Sequence, residues 1–205
     1  MFLILTFAYL MGSIPFGKLV TKFLTNKDIT KTGSGNIGAT NVYRSVSKKA
    51  GIAVLLLDGI KPICAFLMIY YLFPEHYLKY KYLIFLFSII GHIFPIWLYF
   101  KGGKGVATYL GILFALSLPY AILFIFTWVA VLLIFKYSSV SSIFSSLTVL
   151  VVSFIKENVS DVLLLNSHSV ENVKTILFIF FILIVFTHRK NISNLKNKTE
   201  AKIKI

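Results

Sequence analysis

The sequence predicts an all-α fold, a polytopic membrane helical bundle of seven spans forming one domain over residues 1–205, with the N-terminus outside and the C-terminus cytoplasmic. Three observations carry that reading. Hydrophobic residues make up 58% of the chain and mean hydropathy is +0.85, far beyond a soluble domain. Apolar runs alternate with short basic loops from end to end. Lysine and arginine are distributed unevenly between alternate loops, as the positive-inside rule rewards.

Residues 2–24 are apolar enough to span, and no Lys or Arg precedes them and no small-residue cleavage site follows, so they read as a retained helix rather than a signal peptide. Gly12, Ser13, Pro15, Gly17 and Lys18 are expected to kink that helix and admit polar contacts. After the polar loop 22–49, a second span over 51–73 carries Asp58 and Lys61 at i and i+3, close enough to pair on one face. A third span runs over 80–100. Residues 106–135 are too long for one ordinary crossing and are interrupted at Ser117, Leu118 and Pro119, which gives two short helices turning at Pro119. Spans over 140–155 and 173–187 complete seven.

The charge count selects seven spans over six. The loops then cytoplasmic hold six Lys or Arg between Lys22 and Lys49, two at Lys101 and Lys104, one at Lys136 and six from Arg189 to Lys204. The outer loops hold only Lys79, Lys81, Lys156 and Lys174, while Lys18 and Lys61 lie within spans. With the bases scattered in this way, the net charge of +14 fits membrane orientation and anionic headgroups or substrates, and no nucleic acid is expected. The single cysteine, Cys64, lies in a hydrophobic run and reads as a packing residue; no disulfide, metal site or cofactor is expected.

Four polar segments fall on the cytoplasmic side of this topology. The first contains Gly33, Ser34, Gly35, Asn36, Gly38, Thr40, Asn41 and Arg44, a set in which backbone N–H groups can surround one oxyanion and the guanidinium can hold a phosphate bidentately. A plain flexible linker needs neither two asparagines nor an arginine among its glycines. The second runs from Gly91 and His92 to Lys101, Gly102, Gly103, Lys104, Gly105 and Thr108. Glycine lets the backbone approach an anion and lysine adds a mobile charge; the alternative is a tight interfacial turn whose lysines touch lipid headgroups. Walker A is excluded, because Gly105 stands where that motif needs Ser or Thr and Leu98 where it needs its first glycine. His92 reads either as a proton carrier or as a hydrogen-bonded packing group. The third segment is Tyr137 to Ser142, whose serines can also simply bond back to helix carbonyls. The fourth holds His188, Arg189, Asn191 and, further on, Glu200, with a basic lipid anchor as its alternative.

The motifs Gly-Ser-Gly-Asn-x-Gly-x-Thr-Asn-x-x-Arg (33–44), Gly-His-x-x-Pro-x-x-x-x-Phe-x-Gly-Gly-Lys-Gly-Val-Ala-Thr (91–108), Tyr-x-Ser-x-x-Ser (137–142) and His-Arg-x-Asn-Ile (188–192) resemble those of the bacterial acyl-phosphate:glycerol-3-phosphate acyltransferase family, and the resemblance covers nearly the whole chain. It implies an enzyme of phospholipid synthesis in the inner membrane, its active site facing the cytoplasm. The implied reaction moves a fatty acyl group from acyl phosphate to the 1-hydroxyl of glycerol-3-phosphate, giving lysophosphatidic acid and inorganic phosphate. Acyl-CoA and acyl carrier protein are not direct donors in that family. Matched by position, Ser34, Asn36, Thr40, Asn41 and Arg44 belong to a first substrate loop, and Lys104 with its glycines to a phosphate-binding second; Ser142, His188 and Asn191 are family positions near the acceptor phosphate. Catalysis is assigned to Lys104, Arg44, Ser34 and Asn36, and substrate binding to Gly33, Gly35, Gly38, Thr40, Asn41, His92, Lys101, Gly102, Gly103, Gly105, Ser142, His188 and Asn191. Membrane lipid is the expected surroundings, and a transient contact with the enzyme that makes acyl phosphate is left open. Pro62, Asn194 and Lys198 depart from the family pattern, which tends to glycine, arginine and glycine there.

This chemistry agrees with the residues. Two phosphate-bearing reactants need at least two anion pockets, which Arg44, Lys101, Lys104 and Arg189 can supply. Acyl phosphate is already activated, so positioning and charge stabilisation can do most of the catalysis, with a substrate phosphate oxygen taking the proton of the attacking hydroxyl. The rival reading, a carrier for phosphate esters, calls for charges near the bilayer midplane and repeated halves, and no internal repeat is visible.

Overall fold

A computed structural model of the chain describes residues 1–155 and 170–203, and all regular elements among these residues are helical. They group into two compact units, Met1–Ile112 and Leu113–Ile205. Lys156 and Lys204, two of the charges used in the topology count, lie outside the described residues.

The first unit opens with α1 (Phe2–Ser13) and α2 (Phe16–Thr25), one apolar run broken at Ile14 and Pro15. The break is local chemistry. Proline has no N–H to continue the helix and pushes the preceding residue out of the α region, and Ile14 sits at φ −59°, ψ 116°. A polar loop leads through a 3₁₀ turn at Ile29–Lys31 into the short α3 (Ala39–Ser45). Helix α4 (Lys48–Leu72) starts on Ser47, whose hydroxyl accepts from the Ala50 N–H, and runs straight through Pro62.

Helix α5 (Tyr77–Ile93) packs on α1 through small residues. A Cβ at Gly12 would collide with the Ser88 carbonyl, a Cβ at Gly91 with that of Tyr9, and the Ser88 hydroxyl donates to the Ala8 carbonyl at 3.3 Å. Close backbone approach of this kind is how membrane helices gain packing where lipid is as apolar as leucine. The third apolar run ends earlier than its hydropathy suggests. Beyond Ile93 the chain turns through Pro95 and a 3₁₀ turn (Ile96–Leu98), with Tyr99 and Phe100 both at positive φ, before α6 (Val106–Leu116) begins.

The division between the units falls inside α6. In the second unit α7 (Leu118–Phe135) follows Ser117, so the turn lies two residues before Pro119, which occupies the first turn of α7 where its missing N–H is harmless. Lys136 closes α7 in the left-handed conformation, and α8 (Ser138–Ile155) packs back on α7 and against α9 (Val170–Thr187). A final short helix, α10 (Arg189–Lys196), bends 53° from α9.

Among the described residues five segments are long and apolar enough to cross a membrane: Phe2–Thr25, Lys48–Leu72, Lys79–Leu98, Leu118–Phe135 and Ser138–Ile155. A sixth is counted if α9 and α10 are taken as one broken span, and α6 is a shorter apolar helix. Large apolar side chains such as Leu56 and Tyr71 of α4 and Phe126 and Ile134 of α7 face outward, whereas α8 turns Ser141, Ser142, Ser145 and Ser146 inward. Such a surface suits lipid as its solvent.

Candidate active site

The loop before α3 is built around one side chain. Asn41 is buried, and its two amide N–H groups donate to the carbonyls of Asn36 at 2.8 Å and Thr32 at 2.9 Å, with the Ile29 carbonyl 3.4 Å from the same nitrogen. Its carbonyl oxygen accepts from the Ser34 N–H at 3.0 Å and the Ser45 hydroxyl at 3.3 Å. The loop wraps Asn41 so tightly that a Cβ at Gly33 would overlap the Asn41 oxygen, and Gly33 lies at φ +59°, a conformation that disfavours any side chain. Asn41 therefore frames the loop from inside, while Gly33, Ser34 and Arg44 are exposed and Gly35, Asn36, Gly38 and Thr40 are half-buried. Upstream, Asp28 caps the 3₁₀ turn. Its carboxylate accepts from the Thr30 hydroxyl at 2.8 Å and the Thr30 N–H at 3.0 Å, and these bonds hold its pKa below the ordinary value.

The second segment folds back on the end of α5. The Gly102 N–H donates to the Ile93 carbonyl at 3.0 Å and the Gly103 N–H to the His92 carbonyl at 3.1 Å. Both glycines are required by crowding: a Cβ at Gly102 would meet the His92 carbonyl, and one at Gly103 the His92 ring nitrogen Nε2. Gly105 at φ +81° then turns the chain into α6. Lys101 is exposed and Lys104 half-buried.

Beneath this segment lies a buried cluster of ionisable groups. Asp58 Oδ1 and Lys61 Nζ stand 2.7 Å apart, the pair expected from their i, i+3 spacing. Lys61 also donates to the Gly12 carbonyl at 3.3 Å and lies 3.3 Å from His92 Nδ1, itself 3.6 Å from Asp58. The sequence reading had the pair but not its third member, because His92 comes from another helix. A missed contact joins α4 to the start of α6, where the Thr108 hydroxyl donates to the Asp58 carbonyl at 3.2 Å. Its signal was Pro62, which cannot donate to the carbonyl four residues back. The two parts of the unit share the first turn of α2: Lys61 Nζ lies 5.2 Å from the Phe16 ring centroid, and a Cβ at Gly17 would collide with the Ile37 carbonyl of the first loop.

In the second unit, Ser142 Oγ donates to the Ser138 carbonyl at 2.8 Å and accepts from Trp128 Nε1 at 3.1 Å. His188 is buried at the start of α10 with Nδ1 2.8 Å from the Ile184 carbonyl. Asn191 donates to Glu200 Oε1 at 2.6 Å, and the same oxygen accepts from the Ser139 hydroxyl at 3.0 Å, while Asn194 donates to Oε2 at 3.3 Å. Glu200 is thus a hub that the sequence marked only as following the last motif. The Ile203 N–H to the Lys136 carbonyl, 2.8 Å, completes the tie of the tail to the α7–α8 turn.

Comparison with known proteins places this architecture. A family model described as glycerol-3-phosphate acyltransferase matches residues 2–198. A glycerol-3-phosphate acyltransferase of Pelagibacter ubique is 44% identical over 198 residues, covering 97% of this chain and 95% of that protein. One from Mesorhizobium japonicum is 39% identical over 201 residues, covering 98% and 95%. Crystal structures of PlsY (YgiH), an integral membrane glycerol 3-phosphate acyltransferase, match with a TM-score of 0.83 in the glycerol 3-phosphate form and 0.81 in the lysophosphatidic acid form, at 32% identity over 99% of this chain and 95% of theirs. With several helices long and apolar enough to cross, the chain is a multi-pass integral membrane protein. It belongs to the glycerol-3-phosphate acyltransferase family.

Proposed function

We propose that this chain transfers a fatty acyl group from acyl phosphate to the 1-hydroxyl of glycerol-3-phosphate. The observation that carries the reading is the pair of structural neighbours, which hold glycerol 3-phosphate in one form and lysophosphatidic acid in the other, the acceptor and its acylated product. The donor is inferred from the resemblance of the first two motifs. In this reaction the 1-hydroxyl oxygen attacks the acyl carbonyl carbon, the bond from that carbon to the phosphate oxygen breaks, and inorganic phosphate leaves. The hydroxyl proton passes to a phosphate oxygen of the substrate, so no protein base is required.

Arg44 and Lys104 neutralise the phosphate charge, and Ser34 and Asn36 help to hold the reacting groups in line. Gly33, Gly35, Gly38, Thr40 and Asn41 shape the first loop, and Lys101, Gly102, Gly103 and Gly105, backed by His92, shape the second. Ser142, His188 and Asn191 keep the acceptor-phosphate role that the resemblance implies. The topology that goes with this function is seven spans in one domain, the N-terminus outside and the C-terminus and active site on the cytoplasmic side of the bacterial inner membrane.

The test is purified protein given glycerol-3-phosphate and acyl phosphate, with phosphate release followed and acyl-CoA substituted as the control. Release with acyl phosphate alone as donor supports the reading, and equal turnover of acyl-CoA overturns the donor assignment. Single cysteines at 44 and 104 labelled from opposite sides of the membrane would overturn the shared site.

A further inference from the structure

Lys61 carries three N–H donors and no acceptor. Among the described residues its buried ammonium has three oxygen or nitrogen partners: Asp58 Oδ1 at 2.7 Å, the Gly12 carbonyl at 3.3 Å and His92 Nδ1 at 3.3 Å. An ammonium paired to a carboxylate can only donate, so His92 Nδ1 must present its lone pair to Lys61. The 3.6 Å from that nitrogen to Asp58 is too long for it to donate there instead. The proton of the neutral ring is then on Nε2, the atom that occupies the space a side chain at Gly103 would take.

From this geometry we infer that Asp58, Lys61 and His92 are positioning residues: the ion pair fixes His92 as its Nε2–H tautomer, and that ring, reaching through the gap left by Gly103, sets the conformation of residues 101–105 for holding a phosphate. The inference rests on the proposed role of those residues as an anion loop. Three features hold the assembly together. The His92 carbonyl accepts from the Gly103 N–H, so ring and backbone of one residue grip the loop at the same point. The Thr108 hydroxyl ties the carbonyl of Asp58 to the helix that the loop enters. A Cβ at Gly111 would collide with the Gly59 carbonyl, so α6 lies backbone to backbone on α4 one turn further on. A buried ion pair contributes little net stability on its own, and fixing one arrangement out of several is its better attested use.

Two measurements test this on the full-length protein in detergent micelles. Side-chain ¹⁵N spectra of histidine-labelled protein, assigned by loss of one signal in His92→Ala, read the tautomer without reference to activity. A protonated Nε2 and bare Nδ1 are expected, and an Nδ1–H tautomer or an imidazolium overturns the inference. The second measurement is a double-mutant cycle on kcat/KM. Gly103→Ala is expected to lower it about a hundredfold in the natural chain but no more than about threefold further in His92→Ala, because the clash partner is gone. Additive losses overturn the coupling of ring and loop. Should the chain prove to use a different donor or acceptor, the cycle can be read on that reaction, and the spectra stand regardless; should His92→Ala not fold, signals assigned by Lys61→Met decide the tautomer.

Discussion

The Thr108 hydroxyl donates to the Asp58 carbonyl at 3.2 Å, and that carbonyl is the one Pro62 deprives of its helical donor. A proline inside a membrane helix is tolerated only when something else satisfies the freed oxygen, and here a neighbouring helix does so. Thr108→Val keeps the shape and removes the donor. It is expected to destabilise the protein by about 1 kcal/mol, with the loss shrinking toward zero in Pro62→Ala, where a backbone N–H returns. Thermal unfolding in micelles of the two single variants and the double checks this; equal losses in both backgrounds would mean that the threonine acts elsewhere.

Asn41 makes a stronger demand. Asn41→Asp would set a carboxylate against the carbonyls of Thr32 and Asn36 and remove the amide donor from both, with Thr32 keeping only the Gly35 N–H among the described bonds. Leaving buried groups unsatisfied costs about 1–3 kcal/mol each, enough to unravel residues 33–38 without melting the long helices. The expected result is loss of activity by at least about a hundredfold, at helix content unchanged by circular dichroism, together with new proteolytic cleavage among residues 33–38. Intact protease resistance in Asn41→Asp would refute the framing role.

How far the sequence revealed these features follows from the range of the interactions. Breaks set by proline next to polar or small residues, at Pro15 and near Pro119, were legible because the cause is local, whereas Pro62 sits in an unbroken helix because its remedy, Thr108, is distant in sequence. The early end of α5 was hidden by Ile96, Leu98 and Phe100, which keep the hydropathy high while the backbone turns. At the candidate site, glycine spacing and charged residue types exposed both loops. The division of labour within them was not visible: Asn36 and Asn41 look alike in the motif, and only the fold shows that Asn41 is buried in the loop's frame. His92 likewise became a partner of Lys61 only through the packing of α5 beside α4.

Glu200 gathers Ser139, Asn191 and Asn194 with both carboxylate oxygens. Charge-assisted bonds of this type are short and strong, so the tail holds Asn191 in one orientation. If Asn191 contacts the acceptor phosphate, Glu200→Ala should raise KM for glycerol-3-phosphate about tenfold, whereas Glu200→Gln, which keeps one oxygen for Ser139 and Asn191, should stay within about threefold of the natural chain. Steady-state kinetics with the acceptor varied at saturating donor checks it. An unchanged KM in Glu200→Ala would separate the tail from acceptor binding.

Lys104 and Arg44 are the residues on which the proposed chemistry turns. The two positions differ in setting: Lys104 is half-buried between two buried glycines, and Arg44 is exposed near the end of α3. Truncating a desolvated charge contact typically costs about 2–5 kcal/mol, so Lys104→Ala should lower kcat/KM by roughly 30- to several-thousand-fold, with the fold retained. Arg44→Ala should fall in the same range, since substrate binding at this exposed position would bury the guanidinium. Lys104→Arg distinguishes charge from shape. Lys104 is half-buried, and a broad planar guanidinium does not replace a compact ammonium point charge there, so the arginine variant should recover less than about a tenth of the natural activity. Full recovery would show that Lys104 supplies only charge, and near-normal kinetics in either alanine variant would remove that residue from the site.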